Sequence, residues 1–439
     1  MEFKKSTVEE LIEQDVIEKP MDGNHGSIHP KTKDFTDVGI PFITAADIHS
    51  DKVDLEKANK LSEKDAQKLK KGFAKKRDVL LTHKASVGRT AIVNNMEYDY
   101  IILSPQVTYY RIKDATTMLP EYLYLYFKSN YFNQIINQWA GGSTRKYIGI
   151  TAQKKLPILY PSIKNQKKIV DFIMTFEYKV QVNKKIIASL EELSQTLFKR
   201  WFTDFEFPDE NGNPYKSSGG EMIESELGMI PKGWEIITIN DFANNNVITG
   251  KTPSTKIKEN YSETGIPFLT IPDMHNDIFA LNTERYISEL GIEKLSKKVL
   301  PKNSLSISCI ATPGLISIIA NDTLTNQQIN SFTPNENALY YLYFKLKGMK
   351  DYIRDLGSGG SATLNLNKTQ FSKIKLVKPI NEILYKYDKL VSPNFKMILN
   401  IQKEIQHLTQ LRDTLLPKLM SGEIEIPDDI EVNEDELSI

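Results

Sequence analysis

Apolar residues recur in alternating steps of three and four along two long stretches of the chain. The first stretch, from Asn165 to about Asp204, has no glycine or proline and places apolar residues from Ile169 to Trp201. This heptad spacing predicts one helix of roughly 60 Å, at ~1.5 Å per residue. A second seam begins near Ile380 and continues to Leu419. We expect Pro393 to interrupt that second helix, because proline lacks the backbone donor.

Polar residues break both seams at a few positions. Asn183 and Ser194 interrupt the first seam, and Arg412 interrupts the second. Two long helices with one apolar seam each can bury those seams against one another. The simplest arrangement packs them as an antiparallel coiled coil.

The segment before each helix has mixed patterning. Val79–Thr82, Thr90–Val93 and Tyr100–Leu103 are short β-rich runs between turn residues. Residues 62–76 are rich in lysine, with apolar residues at helical spacing, and residues 121–139 carry many aromatic side chains. We therefore expect strands in the first three runs and one helix in each of the last two segments.

Much of the sequence is an internal repeat. Gly39 to Thr44 reads GIPFIT and Gly265 to Thr270 reads GIPFLT, an offset of 265 − 39 = 226. The leucines of the first helix at 190, 193 and 197 return at 408, 411 and 415, so each copy includes its helix. A repeat this long predicts two similar domains, since solenoid repeats are much shorter.

The predicted fold class is α+β, with two similar mixed α/β domains in a pseudo-two-fold arrangement and two long antiparallel coiled-coil helices between them. The predicted segments are a first domain at 1–161, a helix at 162–206, a linker at 207–232, a second domain at 233–379, a helix at 380–422 and an acidic tail at 423–439.

Composition narrows the class of protein. Lys+Arg and Asp+Glu balance at 56 each, so net charge alone indicates no partner. Cys309 is the only cysteine, which excludes an intrachain disulfide and a cysteine-based zinc site. No apolar run approaches the ~20 residues that span a bilayer. We expect a cytoplasmic protein that does not enter a membrane.

Catalytic motifs are missing from the sequence. Gly250-Lys251-Thr252 resembles the end of a phosphate loop, but Asn245 stands where the loop needs glycine, so a turn is the better interpretation. The six histidines show no metal-ligand spacing, and no nucleophile elbow is present. A chain with two elaborate domains and no catalytic motif is expected to be a binder or scaffold.

Several turns carry cations, hydroxyls or amides that suit phosphates and base edges. The alternative for each is a solvated loop, or a scaffold hydrogen bond for the two glutamines. The candidate DNA-binding residues are Lys84, Ser86, Arg89, Gln106, Ser143, Thr144, Arg145, Lys146, Lys251, Thr252, Gln328, Ser361 and Thr363.

Three motifs resemble the specificity subunit of a type I restriction-modification enzyme. They are LFKRWFTDF at 197–205, IPKGWE at 230–235 and LRDTLLPKLMSGEI at 411–424, and they stand in the family's order on the two-fold repeat. The resemblance covers nearly the whole chain. The first domain departs from the pattern, since it lacks the PKGWE opening.

The resemblance implies two target-recognition domains that each read one half of a split, asymmetric site in double-stranded DNA. It implies helices that set the unread gap and dock two modification subunits, with further restriction or motor subunits. S-adenosylmethionine, ATP and Mg²⁺ are expected on those partners, and no cofactor or metal in this chain. The residues assigned to partner docking are Phe176, Leu190, Leu197, Trp201, Phe202, Ile405, Leu408, Leu415 and Leu419.

Two other functions stay open from the sequence. A fused restriction enzyme or DNA methyltransferase would carry its own active site, and methylation by the purified chain alone would reveal it. A structural coiled-coil protein would bind no DNA sequence even with modification partners present.

Overall fold

The computed structural model describes residues 2–49, 52–94, 96–140, 146–275, 277–335, 337–358 and 364–427. The chain divides into two compact units. Unit 1 comprises residues 1–180 and 408–439, and unit 2 comprises residues 181–407. Each of the two long helices therefore contributes one part to each unit.

Unit 1 combines short strands with helices that cover them. Its strands are β1 Lys4–Thr7, β2 Met21–Asp22, β3 Phe35–Thr36, β4 Ile40–Ile43, β5 Ile48–His49, β6 Lys52–Val53, β7 Asn59–Leu61, β8 Phe73–Ala74, β9 Val79–Thr82, β10 Thr90–Ile92, β11 Ile101–Leu103, β12 Val107–Tyr110 and β13 Pro157–Tyr160. Its helices are α1 Val8–Glu13, α2 Glu63–Ala66, α3 Pro120–Lys128, α4 Asn130–Trp139, α5 Ile150–Gln153 and the first part of α6 Ile163–Phe198.

Unit 2 repeats this plan. Its strands are β14 Met222–Ser225, β15 Gly228–Pro231, β16 Glu235–Thr238, β17 Ile248–Thr249, β18 Tyr261–Ser262, β19 Ile266–Leu269, β20 Phe279–Ala280, β21 Tyr286–Ile287, β22 Leu305–Ser308, β23 Ile316–Ile319, β24 Leu324–Thr325, β25 Ile329–Phe332 and β26 Lys375–Lys378. Its helices are α7 Ile239–Phe242, α8 Glu289–Glu293, α9 Leu339–Lys347, α10 Lys350–Leu356, α11 Lys368–Ser372 and the first part of α12 Asn381–Ser421.

The sheets of the two units share a common strand order, with an additional edge strand in one sheet of each unit. In unit 1 the order β10-β9-β12-β2 is antiparallel, and unit 2 has β23-β22-β25-β17 with β20 added at one edge. A second sheet pairs β4 parallel with β11 in unit 1, and β19 parallel with β24 in unit 2. The predicted α+β class, with two similar domains and long helices, is confirmed.

Each core is centred on a helix that is apolar on all sides. Tyr122 to Phe127 of α3 are all buried, and so are Leu339 to Phe344 of α9. A helix with no polar face must be enclosed by other elements. Here α3 lies against β9 and β10, and α9 lies against β23, so these helices join the sheets to the long helices of their own unit.

Polar side chains set the register of the long helices inside unit 2. Asn183 Nδ2 donates to Glu404 Oε2 at 2.9 Å, and Asn394 Nδ2 donates to Ser194 Oγ at 3.1 Å. Tyr387 OH donates to the backbone oxygen of Ser194 at 3.2 Å. As residue numbers rise on α6, those of their partners fall on α12. The predicted antiparallel packing is therefore confirmed within this unit, and both polar interruptions of the first seam have polar partners.

An ionic cluster has the same role inside unit 1. Lys128 Nζ of α3 lies 2.5 Å from Glu177 Oε1 of α6, and Arg412 Nη1 of α12 donates to the same oxygen at 2.7 Å. All three side chains are 12–13% exposed. Burial opposes ionisation of Glu177, but the two cations outweigh it and lower the pKa of this carboxyl.

Three local predictions were wrong. Residues 62–76 contain only the short α2, because Phe73 and Ala74 pair with β11 instead. The aromatic segment 121–139 forms two helices, since Ser129 is extended and caps α4 through Phe132 N. The last helix runs through Pro393 without a break. Pro393 and Lys389 are both exposed, so water can replace the lost helix hydrogen bond.

The predicted linker at 207–232 packs against the core of unit 2 and contains a β-hairpin. Residues 199–203 end α6 in a π-helical turn, which brings Trp201 and Phe202 into the unit 2 core. The strands β14 and β15 then form a hairpin, and Ile230 is buried in that same core. Segment 207–232 is thus anchored at both ends.

Removing the shared carboxylate should destabilise unit 1. In Glu177→Gln, Lys128 and Arg412 lose the carboxylate that they share, although Arg412 keeps its pair with Asp413. Breaking a buried ion pair costs about 3 kcal/mol or more. Because the pKa of Glu177 is lowered on folding, its contribution is present above its unfolded pKa and is lost as pH falls through the folded pKa. Calorimetric unfolding as a function of pH measures both effects.

The matched control for this prediction is Glu382→Gln. Its exposed pair with Lys386 has the same chemistry in an i,i+4 geometry and should contribute only a few tenths of a kcal/mol. Equal losses for Glu177→Gln and Glu382→Gln would contradict the importance assigned to the buried cluster.

Candidate nucleic-acid interface

Two loops in each unit come together at their bases. We name residues 83–89 loop A1 and residues 146–148 loop B1, and in unit 2 residues 309–315 loop A2 and residues 364–366 loop B2. Ala85 N donates to Lys146 O at 3.2 Å, and Ala311 N donates to Leu364 O at 3.1 Å. Each A loop is thereby joined to the B loop of its own unit.

The bases of loops A1 and A2 have the same hydrogen bonds. Thr82 Oγ1 accepts from Arg89 N at 2.9 Å, and Ser308 Oγ accepts from Leu315 N at 2.9 Å. The same hydroxyls donate back to the backbone oxygens of Ser86 and Thr312. The A loops are therefore built on one frame.

Backbone conformation fixes the path of each A loop. Ala85 and Ala311 have φ of 67° and 63°, in the left-handed region. Gly88 and Gly314 have φ of 98° and 92°, a conformation that side chains other than glycine rarely adopt. The recurrence of Gly88 at Gly314 in the sequence thus marks a conformational requirement.

The frame recurs, but its cations do not. Lys84 is exposed in loop A1, and the equivalent residue in loop A2 is Ile310. Arg89 is replaced by Leu315. Only unit 1 carries cations in its A loop, so the two units present different chemistry from the same backbone.

The described candidates in and beside loops A1 and B1 are exposed or half-buried, and some also make hydrogen bonds within the unit. Lys84, Arg89 and Lys146 are exposed, and Ser86 is half-buried. Lys146 Nζ donates to Asn137 Oδ1 at 2.9 Å. The Arg89 guanidinium donates to the backbone oxygens of Ala45 and Ile48 at 3.2 and 3.4 Å.

Both predicted glutamines make internal hydrogen bonds. Gln106 Oε1 accepts from Ala45 N at 3.3 Å. Gln328 Oε1 accepts from Asn326 Nδ2 at 3.0 Å, while Asn326 Oδ1 accepts from Gln328 N. These contacts match the scaffold alternative, because the amides are used inside the unit.

In unit 2 the predicted Lys251 and Thr252 lie beside the turn at 326–328. Lys251 N donates to Thr325 O at 2.8 Å, and Thr252 Oγ1 donates to Gln327 Oε1 at 2.7 Å. Lys251 is exposed. The remaining candidates, Ser143, Thr144, Arg145, Ser361 and Thr363, lie outside the described residues.

Most of the residues predicted for partner docking pack in the core of their own unit. Trp201, Phe202 and Leu419 are buried. The others are half-buried, namely Phe176, Leu190, Leu197, Ile405, Leu408 and Leu415. The seam is thus used mainly within the chain.

A different set of apolar residues is exposed on the helices of unit 2. Ile186 and Leu193 of α6 are 37% and 61% exposed, and Leu390 and Met397 of α12 are 54% and 52% exposed. The hydrogen bond between Ser194 and Asn394 marks the side on which each helix faces the other. At about 100° per residue, the four apolar side chains fall on the same side of the antiparallel pair. The heptad spacing does not reveal these four residues, because they flank the seam.

The described ranges contain neither a candidate metal site nor a candidate membrane-spanning helix. No group of three or more His, Cys, Asp or Glu side chains there could hold a metal ion. Neither α6, α12 nor any other helix in those ranges combines the length and apolarity that a bilayer-spanning helix needs.

A pair of similar α+β units on shared helices, whose A loops have the same backbone frame, has the form of a two-part recognition protein. The family model for the type I restriction modification DNA specificity domain matches the chain twice, at residues 9–192 and 231–412. The chain therefore belongs to the type I restriction-modification DNA specificity family, whose members are non-catalytic components of their complexes.

Individual relatives agree with this membership. The HindI specificity subunit of Haemophilus influenzae is 34% identical over 406 residues, covering 80% of this chain and 87% of the relative. The MjaIX specificity subunit of Methanocaldococcus jannaschii is 26% identical, with 97% of each chain covered. The fold is similar to a crystal structure of the type I S subunit from M. genitalium, with a TM-score of 0.56, 17% identity and coverage of 98% and 97%.

A side chain at Gly88, the turn glycine that recurs as Gly314, should destabilise unit 1. The Cβ of Gly88→Ala would lie 2.6 Å from Asn133 Oδ1. Asn133 cannot move aside easily, since its Nδ2 donates to three backbone oxygens. Strain and clash together should lower the free energy of unfolding of unit 1 by about 2 kcal/mol or more. Calorimetry of the full chain measures the loss.

Gly212→Ala separates strain from clash. Gly212 also has a positive φ, 84°, but no atom lies within 4 Å of its added Cβ. It should cost about 1 kcal/mol. A loss for Gly88→Ala no larger than this would show that the contact with Asn133 is unimportant.

Proposed function

We propose that this chain reads a split, asymmetric DNA sequence, with unit 1 recognising one half and unit 2 the other. The observation that carries the proposal is the matched loop frame with unmatched cations. An equal backbone lets both units meet DNA in an equivalent way, while Lys84 against Ile310 gives them different contacts. Family membership supports the same conclusion.

Two tethered readers supply discrimination that a single unit lacks. One loop pair can contact only a few base pairs, and each mismatch costs roughly 1–3 kcal/mol. Joining two such readers on one chain adds their specificities and raises the effective concentration of the second contact. In this proposal α6 and α12 hold the unread gap, because both helices pass through both units.

Modification subunits are the proposed partners of the helices. The exposed apolar residues Ile186, Leu193, Leu390 and Met397 form a side of the helix pair that suits an apolar helix of another subunit. Two modification subunits and further restriction or motor subunits would complete the complex. S-adenosylmethionine, ATP and Mg²⁺ would be bound by those partners. The complex would act in the cytoplasm, where its DNA target lies.

The function is tested by mapping methylated adenines in a host that expresses the modification subunit, with and without this chain. We expect one split, asymmetric motif to appear only when the chain is present. The purified chain alone, given S-adenosylmethionine, should methylate nothing. Methylation by the chain alone would instead support a self-contained methyltransferase, and an unchanged methylation pattern would contradict the role in specificity.

Charging the exposed apolar side should block docking. In Leu193→Glu with Met397→Glu, two carboxylates would have to be buried at the interface. The affinity for the modification subunit should fall at least tenfold, because burying unpaired charge is costly. Sedimentation or light scattering of the mixed subunits measures complex formation. The free chain should keep its stability, since both residues are exposed.

Tyr385→Glu is the matched control for docking. Tyr385 is 54% exposed on the same helix, but its helical position points away from the apolar side. It should leave complex formation unchanged. Docking that survives the double substitution, or fails equally in the control, would place the interface elsewhere.

A further inference from the structure

His83 occupies the point where loops A1 and B1 meet. Its backbone N donates to Gln106 O at 2.9 Å, and its backbone O accepts from Ile148 N at 3.0 Å. The side chain is fully buried. The imidazole centroid lies 5.8 Å from the ring of Tyr147 in loop B1. His83, the first residue of loop A1, thus contacts both loop B1 and the turn at Gln106.

The imidazole is fixed on one edge. Thr108 Oγ1 lies 2.7 Å from Nδ1. Nε2 has no hydrogen-bond partner among the described residues, and it lies 4.0 Å from Asp22 Oδ2. A carboxylate at that distance favours the tautomer with hydrogen on Nε2, so the Thr108 hydroxyl donates to Nδ1.

Burial keeps this imidazole neutral. It lowers the pKa of His83 to about 4, although Asp22 acts in the opposite direction. Lys71 Nζ and His25 Nε2 each donate a hydrogen bond to the carboxylate of Asp22. At neutral pH the imidazole is therefore uncharged. It makes one hydrogen bond, to Thr108, and adds no charge to the contact between loops A1 and B1.

Unit 2 has a different pair of residues at the same place. Cys309 N donates to Gln328 O at 2.8 Å, and Cys309 O accepts from Leu366 N at 2.8 Å. Asn330 Nδ2 donates to Cys309 Sγ at 3.3 Å. The thiol is buried, and burial raises its pKa to about 11. Backbone contacts are thus repeated while the buried side chain changes.

We propose that His83 is a positioning residue for DNA recognition by unit 1, and that Cys309 has the same role in unit 2. Each side chain, held by its strand partner, sets how loop A lies against loop B. The imidazole with threonine and the thiol with asparagine differ in size and in bonding. The inference rests on the proposed function and extends it, because it assigns part of the difference in specificity to buried residues that never touch DNA.

The test is Thr108→Val, which keeps the shape of the side chain and removes the hydroxyl that fixes the imidazole. Binding is measured for the assembled complex on three duplexes: the methylated motif found for the natural chain, the same duplex with one base changed in the first half, and the same duplex with one base changed in the second half. We expect discrimination in the first half to fall roughly tenfold and discrimination in the second half to stay unchanged.

Two variants separate positioning from stability. Thr108→Ser keeps a hydroxyl and should restore discrimination. Thr90→Val removes another buried hydroxyl of unit 1, one that donates to Leu80 O at 2.8 Å without touching His83. It should lower stability comparably and leave first-half discrimination unchanged. The reciprocal variant Cys309→Ala should affect the second half only.

The outcomes distinguish this inference from the proposed function. If the natural complex shows no discrimination in either half, the two-reader function is wrong. If the natural complex discriminates but Thr108→Val does so equally well, or loses both halves together, the positioning role is wrong. If Thr108→Val does not fold, Cys309→Ala decides: unchanged second-half discrimination overturns the proposal.

Discussion

The carboxylate of Glu177 is the interaction on which the architecture of unit 1 depends. This carboxylate lies on α6. It forms ion pairs with Lys128 of α3 and with Arg412 of the other long helix, α12. A buried carboxylate with two partners tolerates neither a shift of a helix nor loss of a cation. In unit 2 the long helices are held in register by Asn183 and Ser194 of α6, whose hydrogen-bond partners lie on α12. Apolar seams supply the burial, and these polar pairs select one register.

A fixed frame explains how one protein can read two different half-sites. Loops A1 and A2 share their turn glycines, left-handed alanines and hydroxyl hydrogen bonds. Under the proposed function, specificity would change by substitution at exposed residues such as Lys84, or at buried residues such as His83, while the fold of the domain stays the same. The absence of catalytic chemistry from the family fits this division, since a reader needs a rigid support and exchangeable contacts.

Long-range order was predictable where the signal is periodic. The heptad seams and the 226-residue offset predicted the helices and the duplicated domain, because both patterns can be recognised without knowing which residues are in contact. Contacts between distant residues were not. Arg89 donates to the carbonyls of Ala45 and Ile48, and Gln106 accepts from the amide of Ala45. These partners could not be derived from the sequence around Arg89 or Gln106. Pro393 likewise lies on an exposed side of its helix, which only tertiary structure defines.

The most direct test of the account is the methylated motif of a chimaera in which residues 1–161 are replaced by those of another family member. Adenine methylation is mapped across the host genome, with the natural chain as reference. One half of the motif should change, while the other half and the gap should stay the same. A change in both halves, or in neither, would contradict the assignment of one half-site to each unit.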